Sequence, residues 1–193
     1  METTCVFIIA MKDSDFKNAQ KRYRNAGGLL KVVHVMGVKS APELRNTECD
    51  WWCKMFGTNA VIGIDKAHRN AWQQALQMKV NAIIFEEDVQ FKPNFNEQKI
   101  LNLITQYDLV LVGNMLSGKT KHSMMDQFRH FVMTAKLIPQ VIDGLYKPSL
   151  LFGTHAYAAT CTMFEQFFQL CPQITRAIDL QISHRMITFK NIF

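Results

Sequence analysis

One segment limits the possible folds more than any other: Ile83-Ile84-Phe85 runs straight into Glu86-Glu87-Asp88. The apolar residues have the branched and aromatic character of a buried strand. The acids stand where such a strand leaves the core. Three adjacent carboxylates repel one another, and folding alone gives no reason to gather them. A divalent cation would neutralise them, and an all-oxygen donor set suits Mg²⁺, Mn²⁺ or Ca²⁺. Open α/β sheets hold their ligands at the carboxyl ends of their strands. The segment therefore reads either as a metal site at a strand end or as a solvated acidic turn.

The flanking sequence supplies the rest of an α/β pattern. Val6 to Ala10 reads as a buried first strand. Asp13, Ser14 and Asp15 are each able to cap the helix that follows, in which Phe16, Ala19, Tyr23 and Ala26 share one face. Gly27-Gly28 ends that helix, and valine-rich residues 29 to 38 form a second strand. This β-α-β opening predicts a mainly parallel sheet. Residues 39 to 62 carry no clear period and contain Pro42 and the bulky pair Trp51-Trp52. Asp65 is placed to cap a helix reaching Met78, and residues 80 to 85 make the third strand. A helix over 97 to 106 and a strand over 108 to 113 follow. Residues 114 to 150 read as loop-rich with one short helix, and 151 to 160 as a further strand or ordered turn. Thr162 and Glu165 have capping-box spacing for a helix ending at Leu170, before Pro172. Residues 179 to 186 make a last helix.

With 193 residues, a single domain over 1–193 is expected. No run of 18 apolar residues occurs, so no transmembrane segment is expected. The start, Met1 to Cys5, has no basic region before a long apolar run, which argues against a signal peptide. Five cysteines, with no Cys-x-x-Cys pair, read as reduced thiols and point to a cytoplasmic location. The net charge is +6, with a pI near 9.1. Much of the excess lies in Lys12, Lys17, Lys21, Arg22, Arg24, Lys31, Lys39 and Arg45, and a second cluster spans 119 to 136. Such a field favours an anionic partner. The basic residues are not interleaved with aromatics, and RNP, KH and zinc-finger patterns are absent, so no nucleic-acid partner is expected.

Gly63, His68 and Trp72 form the pattern Gly-x-x-x-x-His-x-x-x-Trp, and the acid-tipped strand comes shortly after. Gly153-Thr154-His155-Ala156-Tyr157 and Ile178-Asp179-Leu180 follow in order. Together these segments resemble glycosyltransferase family 25, which includes lipooligosaccharide glycosyltransferases and collagen galactosyltransferases. The resemblance spans Val6 to about Asp179. Ala10-Met11 stands where the family has Asn-Leu, Ile64 and Ala67 where it has Cys and Ser, and Glu87 where it has Asp.

The resemblance implies a GT-A fold, a Rossmann-like α/β/α sandwich with a mainly parallel sheet. It implies metal-dependent, inverting transfer from a nucleotide-diphosphate sugar, UDP favoured and GDP allowed, to a hydroxyl of a glycan or glycoprotein. Mn²⁺ or Mg²⁺ would be held by Asp88, with Glu86 and His184 completing the shell. Ile9, Ala10, Lys12, Glu86 and Glu87 would meet the donor, His155 and Tyr157 the acceptor, and Asp179 would be the general base. Each has a plainer role open to it. Asp179 is also a good N-cap, His184 a surface histidine, Tyr157 a buried strand residue, and His68 a hydrogen-bonded anchor for its helix.

Two other activities use overlapping residues. Gly113-x-x-x-x-Gly118-Lys119-Thr120 has the spacing of a phosphate-binding loop after a strand, which would make the chain a nucleotide triphosphatase. That strand is the fourth in order, however, and residues 123 to 127 open no clear helix. A metal-dependent phosphoesterase would use the same acids, but two-metal chemistry needs more ligands close together than this sequence groups.

Overall fold

The computed structural model describes residues 3–39, 42–112, 156–175, 178 and 181–182, together with the backbone of 140–142 and 145–147. Its core is a five-stranded sheet. β1 (Thr4–Ala10) pairs in parallel with β2 (Val32–Met36) on one side and with β3 (Asn81–Glu86) on the other. The strand order is β2-β1-β3-β7-β4, where β4 is Leu109–Leu111 and β7 is Ala156–Ala159. β7 runs antiparallel to both neighbours, so β4 points the same way as β1, β2 and β3. Gln140–Ile142 (β5) and Leu145–Lys147 (β6) form a separate two-stranded ribbon.

β1 and β3 are buried on both faces because each alternate side chain meets a different helical layer. Phe7 and Ile84 pack with Trp72 of α4 (Asn59–Met78) and Phe164 and Phe167 of α6 (Cys161–Leu170). Val6, Ile8, Ile83 and Phe85 pack instead with Tyr23 of α1 (Asp13–Asn25) and Ile100 of α5 (Glu97–Ile104). This two-sided burial explains why both strands read as unbroken apolar runs. α1 ends through Gly27, whose φ of +90° suits glycine. The next residue, Gly28, lies against the Tyr23 ring, leaving no room for a Cβ. Tyr23 itself donates to Glu97 and accepts from the Leu30 N–H at 3.0 Å, tying α1 to α5.

Several boundaries differ from the sequence expectation. α4 starts at Asn59, where the Thr58 hydroxyl accepts from the Val61 N–H. Asp65 lies inside that helix, fully buried, because Arg69 one turn later pairs with it at 2.5 Å. α1 begins after Lys12, with no side-chain cap. α6 is capped by Thr160, which accepts from the Met163 N–H, rather than by Thr162. Residues 39 to 62 contain two short helices, α2 (Pro42–Glu48) and α3 (Trp51–Phe56). Among the described residues, no helix is long and apolar enough to cross a membrane.

Candidate functional site at the carboxyl edge of the sheet

The parallel register brings the ends of β2, β1 and β3 to one edge. Ala10 is paired with Met36, and Ile9 with Glu86. Val112 follows β4 and donates to the Ala156 carbonyl at 3.1 Å, so β4 ends and β7 begins at this same edge. The chain leaves β1 toward β2 on one side and has β3 on the other. The β1–β3 boundary is thus a point where strand order reverses, the usual position of a ligand crevice in such sheets.

The three acids diverge at this boundary. Glu86 remains in the strand, and its Oε1 lies 3.3 Å from Nε2 of His68. Glu87 begins the turn and accepts the Met11 N–H on Oε2 at 2.7 Å, bracing the loop that follows β1. Asp88 is exposed in the turn, which closes through the Val89 N–H donating to the Glu86 carbonyl at 3.1 Å. Arg22 of α1 supports the turn from behind, donating from Nε to the Val89 carbonyl at 3.0 Å and from Nη2 to the Glu87 carbonyl. Both bonds go to carbonyl oxygens of the turn.

Behind Glu86 lies a buried polar chain. His68 is fully buried, and its Nδ1 sits 3.0 Å from the Tyr157 hydroxyl. Trp72 Nε1 donates to that hydroxyl at 2.7 Å. Donor and acceptor counting assigns the protons, since indole N–H can only donate. Tyr157 accepts from Trp72 and donates its own O–H to His68 Nδ1. With Nδ1 accepting, Nε2 is the ring nitrogen that donates to Glu86 Oε1. Burial keeps the Tyr157 hydroxyl protonated well above its ordinary range, with the Trp72 hydrogen bond opposing the shift. The chain fixes the Glu86 carboxylate from within the core.

Ala60, Ile64 and His68 recur every fourth residue along α4, so they share one face. The first two line an open groove of about 440 Å³, together with Met11, Val38, Lys39 and Asn59. It is shallow and largely open to solvent. Met11 joins the groove to the acids, because its side chain lines one wall while its N–H holds Glu87. Lys39 contributes a positive charge.

Of the sequence-predicted residues, Ile9, Ala10, Lys12, Glu86, Glu87 and Asp88 meet at this edge. Ile9 and Ala10 are buried and contribute backbone only, while Lys12 is exposed beside the start of α1. Tyr157 takes the plainer of its two readings: it is a fully buried strand residue whose hydroxyl is engaged by Trp72 and His68. His155, Asp179, His184 and the Gly113–Thr120 segment lie outside the described residues. Sequence reading did not connect His68 to Glu86 or identify the groove. The His68 to Trp72 spacing of one helical turn was the available signal for the first.

A second buried cluster is built on Asp65 and Arg69, which stand on either side of His68 in α4. Arg69 donates to Asp65, to the carbonyls of Cys171 at 2.6 Å and Gln173 at 3.0 Å, and to Gln181 Oε1 at 3.1 Å. Gln181 in turn donates to Asp65. Burial pushes the Asp65 carboxyl above its ordinary value, and the Arg69 charge pulls against that shift. These bonds attach the segment after α6 to α4.

No family model matches this chain, and no curated protein matches it. Among the described residues, no three His, Cys, Asp or Glu side chains converge into a metal-holding group.

Proposed function

We propose that this chain is a metal-dependent glycosyltransferase of GT-A type, moving a sugar from a nucleotide-diphosphate sugar to an acceptor hydroxyl on a glycan or glycoprotein. One observation carries this reading. Three consecutive carboxylates leave a buried parallel strand at the β1–β3 crossover, beside a groove that reaches them through Met11. A nucleotide with an anionic diphosphate suits this combination, with Lys39 at the groove and Lys12 at the loop after β1 supplying positive charge. UDP is the favoured nucleotide and GDP a possible one, on the strength of the family resemblance.

The donor set fits Mg²⁺ or Mn²⁺. Mg²⁺ in nucleotide enzymes is usually held by one or two carboxylates plus substrate phosphates and water, rather than by a cage of protein ligands. Spread acids at a strand end agree with that mode better than with a closed site. Asp88 and Glu86 are the groups that would hold the cation, with His184 as a further ligand on the resemblance. Bound there, the cation would stabilise the charge that develops on the departing diphosphate.

The chain's own residues do the remaining work. His68 holds Glu86 in one orientation, so the carboxylate is set before substrate arrives. Glu87 fixes the loop after β1 through the Met11 N–H, which keeps the groove wall in place. In the transfer itself, the bond from the anomeric carbon to the diphosphate oxygen breaks as the acceptor oxygen bonds that carbon. Asp179 accepts the hydroxyl proton, and His155 lies on the acceptor side; both roles rest on the resemblance.

Melting temperature measured with Mn²⁺ against UDP, GDP, CMP and ATP tests this reading. UDP or GDP should raise it only when metal is present, by on the order of 5 °C at ligand about a hundredfold above Kd. A rise with ATP alone would move the assignment to the phosphate-loop pattern at Gly113–Thr120.

A further inference from the structure

α3 presents an apolar surface to solvent. Of its six residues, only Cys53 points inward. Trp51 is 67% exposed, Trp52 48%, Met55 68% and Phe56 59%. The two indoles meet edge to face at 5.5 Å, and Trp52 stacks obliquely on Phe56 at 4.4 Å. The helix is held firmly despite its length. Asp50 accepts the Cys53 N–H at 2.8 Å, and Arg45 donates to the carbonyls of Lys54 and Gly57 and to Asn59 Oδ1 within 2.9 Å. These bonds present the four apolar side chains as a fixed platform, and an unpartnered patch of this size marks an interaction surface.

Area and charge select the partner. By ordinary side-chain sizes, the four residues expose on the order of 500 Å². A stable protein interface needs about 800 Å² from each side, so the patch is small for pairing two copies of this chain. A lipid headgroup layer makes no demand for shape complementarity, and tryptophan side chains settle preferentially at that depth. The fourteen residues from Trp51 to Ile64 contain one charge, Lys54; of the acids that flank them, Asp50 caps α3, Glu48 pairs with Lys66 and Asp65 is buried against Arg69. The whole chain carries +6. An anionic surface would therefore attract the molecule from a distance and find no repelling acid in that stretch. We infer that α3 is a peripheral docking site for an anionic lipid headgroup surface, with Trp51, Trp52, Met55 and Phe56 entering the interface and Lys54 meeting the phosphates. α3 leads through Thr58 into the turn of α4 that lines the groove, so docking would set the groove close to the lipid layer. The inference does not depend on which reaction the carboxyl edge performs.

Flotation of the full chain with vesicles of phosphatidylcholine mixed with phosphatidylglycerol tests it. The parent should float with the mixed vesicles and at least tenfold less with phosphatidylcholine alone. Trp51→Ser combined with Trp52→Ser should reduce flotation at least tenfold, and Lys54→Glu should reduce it on the mixed vesicles. Tryptophan emission of the parent should shift to the blue on binding. In the double variant only the buried Trp72 remains, and its emission should not move. A parent that stays in solution, or a double variant that floats like the parent, overturns the inference. So does a concentration-dependent dimer that the double variant abolishes, which would make α3 a contact between copies of the chain.

Discussion

Glu86 and Glu87 are sequence neighbours whose carboxylates reach different structures, one a histidine rooted in the core and the other the backbone after β1. The separation follows from the strand ending between them: Glu86 keeps the register of β3, while Glu87 takes the turn. His68 is the residue on which Glu86 depends. His68→Phe removes both ring nitrogens and leaves the Tyr157 hydroxyl proton without an acceptor in the core. An unsatisfied buried polar group costs about 1–3 kcal/mol, and urea unfolding of this variant should show a loss of that size. Tyr157→Phe should then cost less in the His68→Phe background than in the parent, since the two residues share one chain of hydrogen bonds. Equal costs in both backgrounds would mean that the chain is not coupled. The sequence showed His68 and Trp72 on one helical face and placed the acids at a strand end. It did not show that the two meet, because that contact joins residues eighteen positions apart through the packing of α4 on β3.

Strands whose composition is uniform along their length were readable, and elements that depend on distant contacts were not. β1 and β3 are buried on both faces, so their apolar runs identify them directly. β7 falls within residues 151 to 160, which read as a further strand or ordered turn, but Ala156-Tyr157-Ala158-Ala159 gives no hint of its reversed direction. Asp65 reads as a cap because aspartate favours helix starts. Arg69 at the next turn overrides that preference by pairing with it inside the helix. This pair makes a second prediction, at the scale of the element. Arg69→Met leaves a buried carboxylate without its cation and frees the Cys171 and Gln173 carbonyls, so α4 loses its hold on the segment after α6. Breaking one side of a buried pair costs about 3–5 kcal/mol. Denaturant unfolding should show a loss in that range, and a loss under about 1 kcal/mol would mean the pair does not hold the segment.

For the whole molecule, a mixed α/β fold with a mostly parallel sheet was legible from the β-α-β opening and the spacing of apolar runs. The strand order was not, because it depends on which side of β1 the chain returns to, and no local pattern encodes that choice. That order is what sets the acids at a crossover. If this edge binds a metal-linked nucleotide, Asp88, exposed in the turn, is the acid whose charge the metal needs. Titration calorimetry of Mn²⁺ and UDP on the parent and on Asp88→Asn, with melting temperature taken on the same preparations, tests this most directly. The parent should bind UDP only with Mn²⁺, and Asp88→Asn should melt near the parent's temperature but lose at least tenfold in metal-dependent affinity. An Asp88→Asn protein that binds Mn²⁺ and UDP as the parent does would contradict it.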